Sequence, residues 1–96
     1  MKKQQMLTPE KIWYIATKST KNLKNVVGFS LPYLTKENGR YIYKAPLLVQ
    51  HDGRTIDMVG IAEITIDPYS GNILKTYTEE EIENVTKDLL FRRADG

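Results

Sequence analysis

His51 and Asp52 are adjacent in the chain, and they are the first place where this sequence has the means for proton transfer. An imidazole titrates near neutrality, and a neighbouring carboxylate can orient it. Catalysis also needs a nucleophile or a second acid held in place, and nothing in the sequence fixes such a partner. The plainer role for His51 is polarity in an exposed turn. A metal ion would have to draw on His51, Asp52 and Asp57, which is one ligand short of a convincing set. Asp57 and Glu63 form a second arrangement, because both fall on one face if residues 55–66 make a single strand. At about 3.3 Å per residue that strand would hold them roughly 20 Å apart, too far for joint acid–base work.

Other chemistries are removed by composition. The chain has no cysteine, which excludes thiol catalysis, disulfides and Cys-based metal centres. Its glycines are scattered and form no phosphate-cradling loop. The run Glu79, Glu80, Glu81 and Glu83 is accounted for as the acidic start of a helix. The sequence therefore predicts no catalytic residue, no metal ligand set and no cofactor, and a protein that is not an enzyme.

Binding has better support. Lys11, Tyr14, Lys18 and Lys21 fall near one face of a first helix, with Lys2, Lys3 and Lys24 close by. Clustered cations are what a phosphate-contacting surface requires, although a solvated lysine face gives the same pattern. Tyr33, Tyr41 and Tyr43 lie on predicted strands, and tyrosine suits contact surfaces because it joins apolar area to a polar tip. It suits a half-covered sheet equally well.

The elements that must position these residues are readable from spacing. Thr8 caps the first helix and Pro9 occupies its first position. Ile12, Ile15, Ala16, Ser19 and Leu23 follow at helical intervals as its buried stripe, and Trp13 is expected to anchor the helix–sheet seam. Val27, Phe29, Leu31 and Tyr33 then alternate as a strand. Asn38-Gly39 turns it into a second strand, which carries Tyr41, Tyr43, Ala45, Leu47 and Val49 on one face. Pro32 and Pro46 interrupt this pair and imply a bulge or a sheet edge. Asp52-Gly53 closes a second hairpin that sets Val49 opposite Ile56 and Leu47 opposite Met58. The third strand is expected to run unbroken to Ile66, bent at Gly60, where a helix could approach Gly60 and Ala62. Asp67 to Gly71 has the residues of a turn into Ile73-Leu74. A last helix opens with a Thr78–Glu81 capping box and a Tyr77–Ile82 staple, and buries Ile82, Val85, Leu89 and Leu90.

The expected architecture is α+β, a four-stranded antiparallel meander with an N-terminal and a C-terminal helix packed on one face. Its 96 residues fit one domain, with 1–7 and 92–96 as flexible tails. Residues 1–50 carry nine Lys/Arg against Glu10 and Glu37, and residues 51–96 carry five against ten Asp/Glu. With both helices on one face, that asymmetry reads as internal complementarity between a basic and an acidic helix. The N-terminus has no apolar stretch of signal-peptide length, and no run approaches the roughly 20 residues of a membrane span, so the expected location is cytoplasmic, without membrane contact.

The stretch from the first helix through Asp67-Pro68-Tyr69-Ser70-Gly71-Asn72-Ile73-Leu74 resembles PepSY-type modules, which end in an Asp-x-x-Thr/Ser-Gly-x-aliphatic hairpin. The resemblance covers about two-thirds of the chain. It implies a helix on antiparallel strands and an action by binding and inhibition, usually outside the cytoplasm. Residues and resemblance together point to a small binding or regulatory module that works through a protein or small-ligand contact. A nucleic-acid-binding accessory protein using the basic first helix is the alternative, and homo-oligomerisation stays open.

Overall fold

The computed structural model describes residues 5–95. Its elements follow in the order α1 (Pro9–Ser19), β1 (Val26–Phe29), β2 (Tyr33–Glu37), β3 (Arg40–His51), β4 (Arg54–Asp57), β5 (Glu63–Ile66), β6 (Ile73–Lys75) and α2 (Glu79–Asp95). All strand pairs are antiparallel. β1 and β2 pair with successive stretches of one side of β3, β4 and β5 with the other side, and β6 lies outside β5. The sheet is thus the expected four-row meander with its first and third rows each broken, which makes six strands.

Both breaks have a local cause. Pro46 sits in the central strand, and its carbonyl accepts the Ser30 N–H at 2.9 Å. A strand residue presents its N and its C=O to the same side, so the missing proline donor faces the gap between β1 and β2, where no ladder bond is required. In the third row, Met58 N–H donates to Leu47 C=O at 2.9 Å and Leu47 N–H to Ala62 C=O at 3.1 Å. Residues 58–62 close into a turn between these bonds, with Ile61 and Ala62 both donating to Met58 C=O and Gly60 at φ +77°. The unbroken strand is therefore corrected to two strands around an exposed turn. Val59, Gly60 and Ile61 leave the ladder, and no helix approaches Gly60, since a Cβ there would meet nothing within 4 Å.

The hairpins form as read. Asn38 and Gly39 have φ of 52° and 79°, Asp52 and Gly53 of 50° and 75°, the paired positive values of type I′ turns. Val49 stands opposite Ile56. Asp67 Oδ1 accepts the Tyr69 and Ser70 N–H groups at 2.8 and 3.0 Å and shapes the third turn. These bonds from Ser70 and Tyr69 hold the Asp67 carboxyl below its usual range, with Arg40 adding to them.

One face of the sheet carries the core. Tyr43, Ala45, Leu47 and Val49 of β3 cluster with Phe29, Ile64 and Ile66, with Ile12 and Ala16 of α1, and with Ile82 of α2. Both helices thus cover the same face. Thr8 Oγ1 accepts from Lys11 N–H at 3.2 Å to start α1. At the start of α2, Thr78 and Glu81 exchange the two bonds of a capping box at 3.0 and 3.1 Å. No described helix is long and apolar enough to cross a membrane.

Several expectations at the helix ends are revised. α1 stops at Ser19, where the Ser19 and Thr20 hydroxyls both bond back to the Ala16 carbonyl and compete with further helix. Lys21 and Leu23 consequently lie in the turn beyond it. Trp13 is 41% exposed and anchors no seam. Leu7, read as tail, packs against the core and bonds through its N–H to Pro68 C=O at 2.7 Å. α2 runs on to Asp95, with an Arg92–Asp88 ion pair one turn apart at 3.2 Å. Residues 1–4 and 96 lie outside the described residues.

Among the described residues no ion pair joins α1 to α2. The acidic helix pairs internally, Lys87 with Glu83 at 2.9 Å, and the basic half meets the acidic half through the sheet, in Arg40–Asp67 at 3.4 Å and Lys44–Glu63 at 4.0 Å.

Candidate functional site on the open face of the sheet

Side chains alternate along β3, so Ile42, Lys44 and Pro46 point away from the core face. Across the ladder they stand beside Thr35, Tyr33, Thr65 and Glu63. This face has no helix over it.

Its centre is the carboxylate of Glu63, only 9% exposed. Oε2 accepts the Tyr33 hydroxyl at 2.5 Å and the Gly60 N–H at 3.1 Å. Lys44 Nζ sits 2.8 Å from Glu37 and 4.0 Å from Glu63. The bond to Glu37 is the main cause that raises the Lys44 ammonium above its ordinary value. A groove of about 260 Å³ runs past this cluster, bounded by Gly60, Ile61, Lys75 and Tyr77. It continues into a second groove that shares Glu37, Thr65 and Lys75 and adds Ile42 and Leu74. The face is therefore a shallow surface with a fixed, charged centre and with exposed Ile61 and Leu74 at its margins.

Partial withdrawal from water, then the hydrogen bond to Glu63 and the charges of Glu63 and Glu37, push the Tyr33 phenol up from 10.0 to about 12. A raised acid favours the neutral phenol in the fold. The stability it contributes is complete below pH 10.0 and is lost as pH rises towards about 12. In an alkaline titration followed by phenolate absorbance, Tyr33 is expected to ionise later than an unperturbed tyrosine, and Glu63→Gln to bring that step back towards its ordinary position. If Tyr33→Phe leaves the most alkaline step in place, the assignment is wrong.

Asp57 and Glu63 are closer than a continuous strand would hold them. Because 58–62 loops out, they stand opposite Leu48 and Pro46, two residues apart on β3, which is roughly 7 Å of strand. Each is committed to the intervening turn. Asp57 accepts from Val59 N–H at 3.1 Å and from the Ser30 hydroxyl at 3.0 Å, and Glu63 accepts from Gly60 N–H. His51 Nε2 lies 3.3 Å from Asp52 Oδ2 at the far end of β3, beside a cleft of about 320 Å³ that α2, through Glu79 and Glu83, makes with Lys24 and Gln50. Among the described residues no three His, Asp or Glu side chains gather as metal ligands would.

The contact residues expected from sequence separate into three places. Tyr33 belongs to the open face. Tyr43 is 7% exposed inside the core, so its place among contact residues is corrected: an odd position on β3 faces the helices. Tyr41, at another odd position of β3, is exposed, with Lys36 Nζ 5.4 Å from its ring centroid. Lys11, Tyr14 and Lys18 are exposed on α1, with Lys21 just past its end. Sequence reasoning passed over Lys44 and Glu37 and read Glu63 only against Asp57. The available signal was the other half of the β3 alternation, Ile42-x-Lys44, a polar residue inside an otherwise apolar run.

Fold and site together define a small two-layer α+β domain with one sheet face uncovered. No protein-family model matches this chain, and no curated protein or solved structure matches it significantly.

Proposed function

We propose that this chain is a small binding module that acts by contact rather than turnover, docking a protein partner on the open face of its sheet. The observation that carries this reading is the buried Glu63 carboxylate, satisfied by Tyr33 and Gly60 and flanked by Lys44, at the centre of a face with no helix over it. Such a network fixes side chains before a partner arrives, which lowers the ordering cost of association. Exposed Ile61 and Leu74 flank it and supply apolar area for an interface. The hairpin resemblance to modules that bind and inhibit agrees with contact as the mode of action, and a cytoplasmic setting is part of the proposal.

The test is comparative capture. Tagged protein in extract of its source cells is expected to retain a partner that is lost from Leu74→Asp and Thr65→Arg and kept by Lys21→Gln, all three with unchanged circular dichroism. Sedimentation of the purified protein checks whether the partner is a second copy. Retention by all variants, or loss from Lys21→Gln alone, places the contact elsewhere.

A further inference from the structure

We propose that the solvent side of α1, continued into the turn after it, binds single-stranded nucleic acid, with Lys11, Lys18 and Lys21 on phosphates and Trp13 and Tyr14 as stacking platforms for bases. This surface is separate from the open sheet face, so either assignment can fail alone.

The argument starts from helix geometry. Successive residues turn by about 100°, which sets Lys11, Tyr14 and Lys18 within about 60° of arc, with Glu10 about 40° and Trp13 about 100° beyond Tyr14 on the exposed side. All four are exposed, as is Lys21. None of the ion pairs among the described residues includes Lys11, Lys18 or Lys21. In α2, Glu83 pairs with Lys87, Asp88 pairs with Arg92, Glu81 closes the capping box and Glu79 accepts the Lys24 backbone N–H at 2.8 Å. Glu10 is the one carboxylate of α1 and no ion pair joins it to these lysines, so the surface keeps a net positive charge and is complementary to a polyanion.

The aromatics select among polyanions. Trp13 and Tyr14 are 41% and 52% exposed on a helix whose apolar residues, Ile12 and Ala16, are fully used in the core. A large apolar ring is not left in water for the sake of this core. Lys18 Nζ lies 5.5 Å from the Tyr14 ring centroid, so cation and ring already form one unit. A single strand offers both partners at once, a phosphate for each lysine and an unpaired base for each ring. A membrane surface would need an apolar helix face turned outward, and the exposed residues of α1 include no Leu, Ile, Val or Phe.

The chain contains one tryptophan, so its fluorescence reports this surface directly. Titrating the full chain with oligothymidylate at low salt is expected to quench Trp13 with a Kd of about 1–100 μM. Log affinity should fall with log salt at a slope of about −2, near −0.7 for each of three phosphates. Lys11→Gln/Lys18→Gln/Lys21→Gln should flatten that slope towards zero. Tyr14→Ala should weaken binding at least about fivefold with the slope unchanged, as loss of stacking does. All the substituted residues are exposed, so folding should persist, and the quench of the unaltered protein is a test without any variant. Absence of quenching at low salt overturns the proposal. So does heparin binding with the same dependence on Tyr14, or a stronger response of Trp13 to phosphatidylserine vesicles than to the oligonucleotide.

Discussion

Gly71→Val is expected to cost about 2–4 kcal/mol, more than a valine at any of the other turn glycines. Two effects meet at this residue. Its φ of +78° is a left-handed conformation in which a β-branched side chain is strained, a penalty on the order of 1–3 kcal/mol. A Cβ there would also stand 2.9 Å from Ile15 Cδ1 and 3.1 Å from Leu7 Cδ1, where the N-terminal segment and α1 close over the third hairpin. Both atoms end side chains that can turn aside, so strain is the larger share and lost α1 packing the remainder. Gly39, at φ +79°, has nothing within 4 Å of the same position, and Gly39→Val should show the strain alone. Thermal unfolding of the two variants checks this. With about 4–8 °C per kcal/mol for a domain of this size, the Gly71 variant should melt at least several degrees below the Gly39 variant. Equal melting temperatures would mean that α1 does not rest on the hairpin as described.

Local chemistry explains why the meander was legible. Asn38-Gly39, Asp52-Gly53 and the Asp67–Gly71 turn each specify a backbone geometry through residues that tolerate positive φ or bond their own backbone, and each forms where the sequence places it. The Thr8 cap and the Thr78–Glu81 box are of the same kind. The breaks were harder to see. Alternation continues from Ile56 through Ile66 on paper, and only hydrogen bonding reveals that residues 59–61 step out while Leu47 holds both ends of the excursion. A period of two identifies faces but cannot count the residues that leave a ladder.

That miscount is also why the site was hidden. A strand drawn straight separates Asp57 from Glu63 and leaves Glu63 an isolated carboxylate. Looping out the turn returns Glu63 to the ladder opposite Pro46, within reach of Tyr33 and Lys44, residues that are 30 and 19 positions away in sequence. Pairings between distant strands depend on register, and register here depends on an insertion the pattern does not mark. The basic side of α1 was visible because its residues are local to one helix. Even there the end of the helix was misplaced, since two hydroxyls bond back to the Ala16 carbonyl and compete with further helical bonding.

Leu47→Ala is expected to have the largest effect of any single truncation, about 2–5 kcal/mol. Its side chain is fully buried, opposite Phe29 on one side, while its backbone clasps Met58 and Ala62 on the other. The side chain therefore fills the point where the first row, the central strand and the excursion of the third row meet. Shortening it leaves a cavity that the clasped backbone cannot collapse into, and the unrelaxed cavity is what places a substitution at the upper end of the range. A domain of this size has about 5–15 kcal/mol of stability, so the loss is a large fraction of the whole. Urea denaturation should show a much lower midpoint with little change in slope. Leu31→Ala, at a leucine 84% exposed in the gap between β1 and β2, should shift the midpoint by no more than about 0.5 kcal/mol equivalent. The excursion should loosen with the core, so hydrogen exchange at the Met58 and Ala62 amides is expected to accelerate in Leu47→Ala while the Asn38-Gly39 hairpin keeps its protection. Unchanged exchange at the Met58 and Ala62 amides would mean that the 58–62 turn does not depend on Leu47 and is held by Asp57 and Glu63 alone.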